Sequence, residues 1–378
     1  MHDSNETQIL LLRFSPGQYP FFFGGEHGFG DGFNARSMAW PSPFTVLGAI
    51  KNLLLRQNGL QSYIFKESQT RGGGGNKVVL RDNDKKRCAA ELTGHGLNDP
   101  THHYLDQMGV ISQMSPLFML RDDSTLYFPV PHNLSASGKV IKPESGWSAK
   151  EGLAAGGLIT LEDLTKLWPT ALRDSSVTVP FLPLEDFIRE EDQVGVRLNL
   201  EKGTHDNEKA FYLQRFYRAC SLEFSYGVLV KIKTTYNKGK RVIFTDDHVK
   251  LGGDASVFRM SVCNLEPKNE LHQLWKGLLL SGFIPSQGPA IALGAVVGAC
   301  KEAEPSRNGS SSSRVYASHR TMIRHQTPTD AYPNESHRRK FSPTYLGWPP
   351  GSVFEGQLPS MDSSFSRIGF NHFFKSED

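Results

Sequence analysis

Cysteine is scarce: Cys88, Cys220, Cys263 and Cys300 are the only four, far apart and without a CxxC pair. That excludes a zinc knuckle or a dithiol redox motif and leaves reduced thiols. The one adjacent histidine pair, His102-His103, has no HExxH or similar spacing around it, so it reads as a surface loop, and neither a metal nor a cofactor is expected. No apolar run reaches the roughly 20 residues that a bilayer crossing needs; "GPAIALGAVVGAC" is the longest and falls short. The opening "MHDSNETQIL" lacks a basic region, so no secretory leader is expected, no membrane partner, and a cytoplasmic location. A large charge of either sign is missing too. With 42 Lys+Arg against 39 Asp+Glu the net charge is +3, so any polyanion has to be gripped by local patches. No nucleophile stands beside a base, and no acidic cluster has two-metal spacing.

What is present suits two packed domains: 378 residues, 38% hydrophobic, with 36 Gly and 24 Phe pointing to sheets joined by Gly-rich loops. "TQILLLRF" reads as a first strand that leaves into the Pro/Gly-rich "SPGQYPFFFGGEHGFGDGFNARS", a long loop. "WPSPFTVLGAIKNLLLRQNG" then predicts a helix, capped by Ser42, begun by Pro43, and stopped at Gly59. Its apolar face is Val46, Ala49, Ile50, Leu53 and Leu54. From Gln69 to His103 the chain is polar and reads as an exposed, poorly ordered insertion. "LFMLRDDSTLYFPVP" predicts two short strands about an Asp-Asp-Ser turn, and "ITLEDLTKLWPTAL" a short helix. The strand-rich runs from Phe211 to Thr235 and from Arg241 to Leu265 suggest an antiparallel meander; "LHQLWKGLLLSGF" returns to a helix. Residues 301–343 are Ser/Arg/His-rich without hydrophobic period and read as a mobile basic loop; beyond them "PPGSVFEGQL" and "SSFSRIGFNHFF" return to strand and turn. The whole is an α+β pattern, for which two ferredoxin-like, RRM-like βαββαβ units fit the length. The expected boundaries are 1–265, with an insertion near 66–110 and a hairpin near 194–220, and 266–378.

Three features bear on chemistry. "GGEHGFGDG" has five glycines between Gly24 and Gly32 but no GKS/GKT ending and no GxGxxG between strand and helix, so nucleotide binding is weakly supported. Gly28 and Gly30, followed by Arg36 and Ser37, instead offer backbone N–H groups and a cation to an RNA backbone; His27 is the one plausible general base. "VGVRLNLEKGTHDNEKAFYLQRFYRAC" sets Arg197, Lys209 and Arg215 among aromatic residues including Phe216, and "KIKTTYNKGKRVIF" adds Lys231 and Lys233. Arginine for phosphate and rings for bases is how sheets hold single-stranded RNA, although a strand with one wet face has the same pattern. Finally "LGGDASVFRM" places Gly252 and Gly253 before a strand carrying Arg259, which points to a close backbone approach.

Taken in order, these stretches resemble a known family. "WPSPFTVLGAIKNLL" is similar to the first helix of RAMP-superfamily CRISPR proteins, "VGVRLN" with "EKAFYLQRFYRA" to their Val-Gly-Ile hairpin, "VKLGGDASVFRM" to their Leu-Gly-Gly-Glu-x-Arg strand, and "WPPGSVFEGQL" to a C-terminal Pro-Ala-Gly-Ser-Val-Tyr strand. The chain departs from the pattern at Asp254-Ala255-Ser256, with its arginine displaced to Arg259. The order resembles the third subunits of the Cmr complex, the type III-B CRISPR effector. That resemblance implies two RAMP domains and a scaffold without an active site. It also implies contacts with the 5′ repeat-derived tag of the guide RNA, the large cyclase/polymerase-like subunit, adjacent RAMP backbone subunits and target RNA. A projecting thumb is implied as well, with its tip at Gly203, Thr204, His205, Asp206 and Asn207. Two other readings stay open: a RAMP-fold guide-processing ribonuclease using His27, and a nucleotide-binding regulatory protein using the Gly-rich loop.

Overall fold

A computed structural model describes residues 7–24, 34–60, 83–94, 108–122, 125–141, 156–196, 198–199, 204–205, 211–253, 256–266 and shorter stretches between 268 and 375. In chain order the elements are strands β1 (Thr7–Ser15) and β2 (Asn34–Arg36), helices α1 (Pro43–Gln57) and α2 (Asn83–Thr93), and strands β3 (Ile111–Met114), β4 (Phe118–Arg121), β5 (Thr125–Pro129) and β6 (Gly157–Thr160). Helix α3 (Leu161–Arg173) follows, then strands β7 (Leu182–Pro183), β8 (Ile188–Val196), β9 (Leu198–Asn199), β10 (Thr204–His205), β11 (Phe211–Ala219) and β12 (Ser225–Lys233). The short pair β13 (Thr235–Tyr236) and β14 (Lys240–Arg241) precedes β15 (Asp247–Lys250) and β16 (Val257–Asn264).

The helix expected from its caps and the short helix expected at "ITLEDLTKLWPTAL" both form. Ser42 accepts a hydrogen bond from the Phe44 N–H at the start of α1, Asn58 closes its end, and Gly59 follows at φ 69°. Thr160 caps α3, accepting from the Asp163 N–H. The β4–β5 hairpin turns at Asp122, which has φ 54°. The insertion is a correction: its residues 83–93 are helical, and Cys88, Ala89 and Leu92 are buried. One stripe of that polar-looking segment packs into the core, and a stripe only three residues wide is easily missed by composition.

The main sheet is antiparallel, in the order β15-β16-β1-β12-β4-β5-β6-β7, with β3 pairing β12 beside β4. The expected meander is corrected here. β11 belongs to a separate three-stranded sheet with β8 and β2, and β1 lies between β12 and β16. Turn residues signal where a strand stops, whereas the partner is selected by burial over long range. Leu10, Leu12 and Phe14 of β1 face a core shared with Val46, Ile50, Leu53 and Leu54 of α1 and with Leu92 of α2. Leu11, on the other face, joins Leu229, Phe118, Leu120 and Phe128 under Leu164 and Trp168 of α3. Both cores also take residues from beyond 265: Phe365 and Phe370 in the first, Ile291, Leu293 and Val353 in the second. The expected helix at 271–283 lies almost wholly outside the described residues. Within the segment read as a mobile loop, Arg314–Tyr316 and Thr321–Ile323 are strands.

Candidate nucleic-acid interface

Three stretches distant in sequence converge at one end of β1. The loop after β1 dips back into the protein: Phe21 and Phe23 are buried against Phe258 and Tyr226, with Phe21 and Phe258 ring centroids 5.4 Å apart. Aromatic rings in a Pro/Gly-rich context read as loop because only tertiary packing makes them core. Tyr226 is fully buried, so its phenol pKa is pushed well up, and its hydroxyl donates to the Ala39 carbonyl at 2.6 Å.

The same loop is then pinned. The Gly253 N–H donates to the Phe22 carbonyl, and the Phe22 N–H donates to Ser256 Oγ, both at 2.8 Å. Ser256 Oγ in turn donates to the Gly253 carbonyl at 2.7 Å. Gly252 has φ 101°, and a Cβ there would collide with the Phe22 carbonyl oxygen; a Cβ at Gly253 meets nothing nearer than Phe22 Cδ1 at 3.5 Å. The close approach inferred from the glycine pair therefore exists, at Gly252, and its partner is this chain's own backbone.

Past Phe22, the neck of the Gly-rich loop is tied across. The Met38 N–H donates to the Gly24 carbonyl at 3.0 Å, and the Phe23 N–H donates to Ser37 Oγ at 3.0 Å. Ser37 is buried and occupied in closing the neck, so it supports the loop from below. Gly28, Gly30 and His27, between the two ends, lie outside the described residues. Arg36 lies in β2, which runs parallel to β11 with Arg36 opposite Arg215. The strand that follows the Gly-rich loop is thus hydrogen-bonded to the hairpin.

The hairpin is longer than expected, beginning at Ile188, with β8 and β11 paired in register from Ile188↔Ala219 to Val196↔Phe211. Thr204 and His205, read as tip turn, pair as a strand with Leu198 and Asn199. Gly203, Asp206, Asn207, Arg197 and Lys209 lie outside the described residues. At the hairpin's base Phe216 is buried, edge-on to Phe22 at 5.7 Å, and Tyr217 is buried beside Phe21, so these rings belong to packing. Farther out, residues Glu190, Asp192, Gln193 and Val194 are exposed.

The hairpin arginines face acids across the ladder. Arg215 Nε pairs with Asp192 Oδ1 at 2.7 Å, and Arg218 grips both carboxylate oxygens of Glu191 while also reaching the Gln18 carbonyl. The hydrogen bond from Arg218 holds the Glu191 carboxyl below its ordinary value. Exposed pairs of this kind are worth only about 0–1 kcal/mol, so a phosphate can displace the acid from Arg215 at small cost. Arg218 belongs to the basic-aromatic pattern read from the hairpin sequence; the parts played by Phe22 and Ser256 were missed, because only tertiary packing brings them together.

The remaining expected residues sit on the main sheet. Lys231 and Lys233 lie along β12 opposite Ile9 and Thr7, the first partly buried and the second exposed, and Arg259 is exposed on β16. These three are not gathered with the loop and hairpin. Among the described residues no group of three His, Cys, Asp or Glu is placed to hold a metal, and no helix is long and apolar enough to cross a membrane.

The α+β fold built on this antiparallel sheet is shared with chains of solved complexes. A chain of the type III-B Cmr-beta complex bound to cognate target RNA superposes with a TM-score of 0.53 over 98% of this chain and 97% of that one, at 12% identity. The complex with cognate target RNA and AMPPnP gives 0.50 over the same shares, also at 12% identity. Residues 18–178 match the family described as CRISPR-associated protein (Cas_Cmr3), the same family that the order of the motifs resembles. None of the curated proteins matches by sequence.

Proposed function

We propose that the chain is a non-catalytic subunit of a type III-B CRISPR effector that holds the 5′ repeat-derived tag of the guide RNA and docks the large cyclase/polymerase-like subunit. The Cas_Cmr3 match over residues 18–178 carries this reading. It spans Phe22, whose carbonyl accepts from the Gly253 N–H, and β2, which pairs with the hairpin strand β11. In the proposed complex the Gly-rich loop, with Gly28, Gly30 and Arg36, lies along the tag, and Arg197, Lys209 and Arg215 line the hairpin side. The hairpin itself is the thumb, contacting guide and target beside the adjacent backbone subunits. The strand order supports a ferredoxin-like N-terminal unit. Taking β1, β3/β4, β12 and β16 as first to fourth, they lie fourth-first-third-second, with α1 in its expected place and the β13–β14 pair where a second helix belongs. A second such unit after residue 265 completes the proposal.

Copurification of the tagged chain from cells carrying a type III-B locus, followed by sequencing of bound RNA, tests this. Guide RNAs sharing one 5′ tag are expected, together with the large subunit. The purified chain should leave repeat RNA intact; cleavage abolished by His27→Ala would replace the scaffold reading with the ribonuclease one.

A further inference from the structure

We infer that His248, Lys250 and Arg259 form a second phosphate-binding strip, on the outer face of the β15–β16 edge, which takes single-stranded RNA without reading its sequence; the inference rests on the RNA-holding role proposed above. β15 and β16 alternate sharply. Val249, Phe258 and Met260 turn into the core and are buried, while His248, Lys250, Val257 and Arg259 turn the other way and are exposed. His248 is directly opposite Arg259, and Lys250 opposite Val257. Residues directly opposite in an antiparallel pair have Cβ atoms about 4.5–5.5 Å apart, and the next residue on the same face is about 6.6 Å along the strand. Two cations and an imidazole N–H at such intervals match the repeat of an extended phosphate backbone.

The strip is open because the cover on this face is elsewhere. α3 and residues Ile291, Leu293 and Val353 pack over the β4–β6 side and over Leu11 and Leu229. The neighbouring β1 positions on this face are Arg13 and Ser15, opposite Ser261 and Arg259. Among the described residues, the carboxylates beside β15 are engaged elsewhere: Asp247 pairs with Arg56 at 2.8 Å, and Asp246 accepts from the Val262 N–H at 2.8 Å. Neither Lys250 nor Arg259 has an acidic partner among the described residues, and no carboxylate touches the His248 ring there. A protein partner would want a buried aromatic or aliphatic anchor; among the described residues of the β15–β16 pair this face offers Val257 and no Phe, Tyr or Trp. A phosphate chain needs only the charges.

The test is the salt dependence of binding of a fluorescein-labelled oligouridylate to the full chain, wild type against Lys250→Gln/Arg259→Gln. For single strands each lost phosphate contact lowers the slope of log K against log salt by about 0.7. The double variant is therefore expected to lose about 1.4 in slope and to bind severalfold more weakly, at an unchanged melting temperature. Wild type that binds, with a variant of the same slope and affinity, overturns the strip and leaves the subunit reading intact. Wild type that fails to bind overturns the RNA-holding role itself. Unchanged RNA binding with loss of a copurifying acidic protein overturns the inference in favour of a protein surface.

Discussion

Gly252 and Gly253 look equivalent in sequence and are not in space. At Gly252 a side chain meets the Phe22 carbonyl and the backbone is left-handed; at Gly253 there is room for a methyl. Gly252→Ala is therefore expected to destabilise by about 1–3 kcal/mol, from strain and a displaced loop, whereas Gly253→Ala should be close to neutral. Paired urea denaturation curves check this, and equal effects would return the pair to an ordinary turn. Lys51, partly buried on α1, makes a second residue-scale case. Desolvation lowers its pKa from 10.5 to about 8. Between those values the unfolded chain binds more protons than the folded one, so stability should rise with pH across the window. Below pH 8 the cation is held at a cost of at most about 3 kcal/mol. Lys51→Met should accordingly stabilise the protein at pH 7, with a gain that shrinks as pH approaches 10.5. A pH-independent difference in melting temperature would contradict the assignment.

Single elements show how much could be read locally. α1 and α3 were legible because caps, a Pro in the first turn and a helical apolar stripe are short-range signals that burial then confirmed at Val46, Ile50, Leu164 and Trp168. The hairpin was legible as charge and aromatic alternation, although its base was not: Phe216 sits in the same pattern whether it awaits a base or packs on Phe22. The stretch holding Phe21 and Phe23 was read simply as a long loop because Pro and Gly mark turns regardless of what lies between them. Deleting residues 203–208 removes the β9–β10 pair and spares the β8–β11 ladder. Folding and tag binding should survive. In the assembled complex, protection of the guide–target duplex near the guide's 5′ end should weaken, by the roughly 1–3 kcal/mol of a lost stacking contact. An unaltered footprint would remove the thumb role.

For the whole molecule, the boundary expected near residue 265 cuts through shared packing. Phe370 lies 5.1 Å from Phe44 of α1, the His132 N–H donates to the Gly351 carbonyl, and the Met114 N–H to the Arg367 carbonyl. A chain ending at residue 265 should therefore lose near-UV circular dichroism and elute as aggregate; a monomer with native near-UV signal would show the first 265 residues to be self-sufficient. The main sheet carries one more consequence. β1 is paired on one side with β12, which begins at Ser225, and on the other with β16, which begins at Val257. At about 5–20 residues per second, a ribosome needs roughly 10–40 s to travel from the first strand to the earlier of its two partners. Throughout that interval Leu10, Leu11, Leu12 and Phe14 are translated, apolar and unpaired on both edges. Shielding of this nascent strand, by a chaperone or by slow collapse onto α1, is thus a requirement that the topology itself imposes on synthesis.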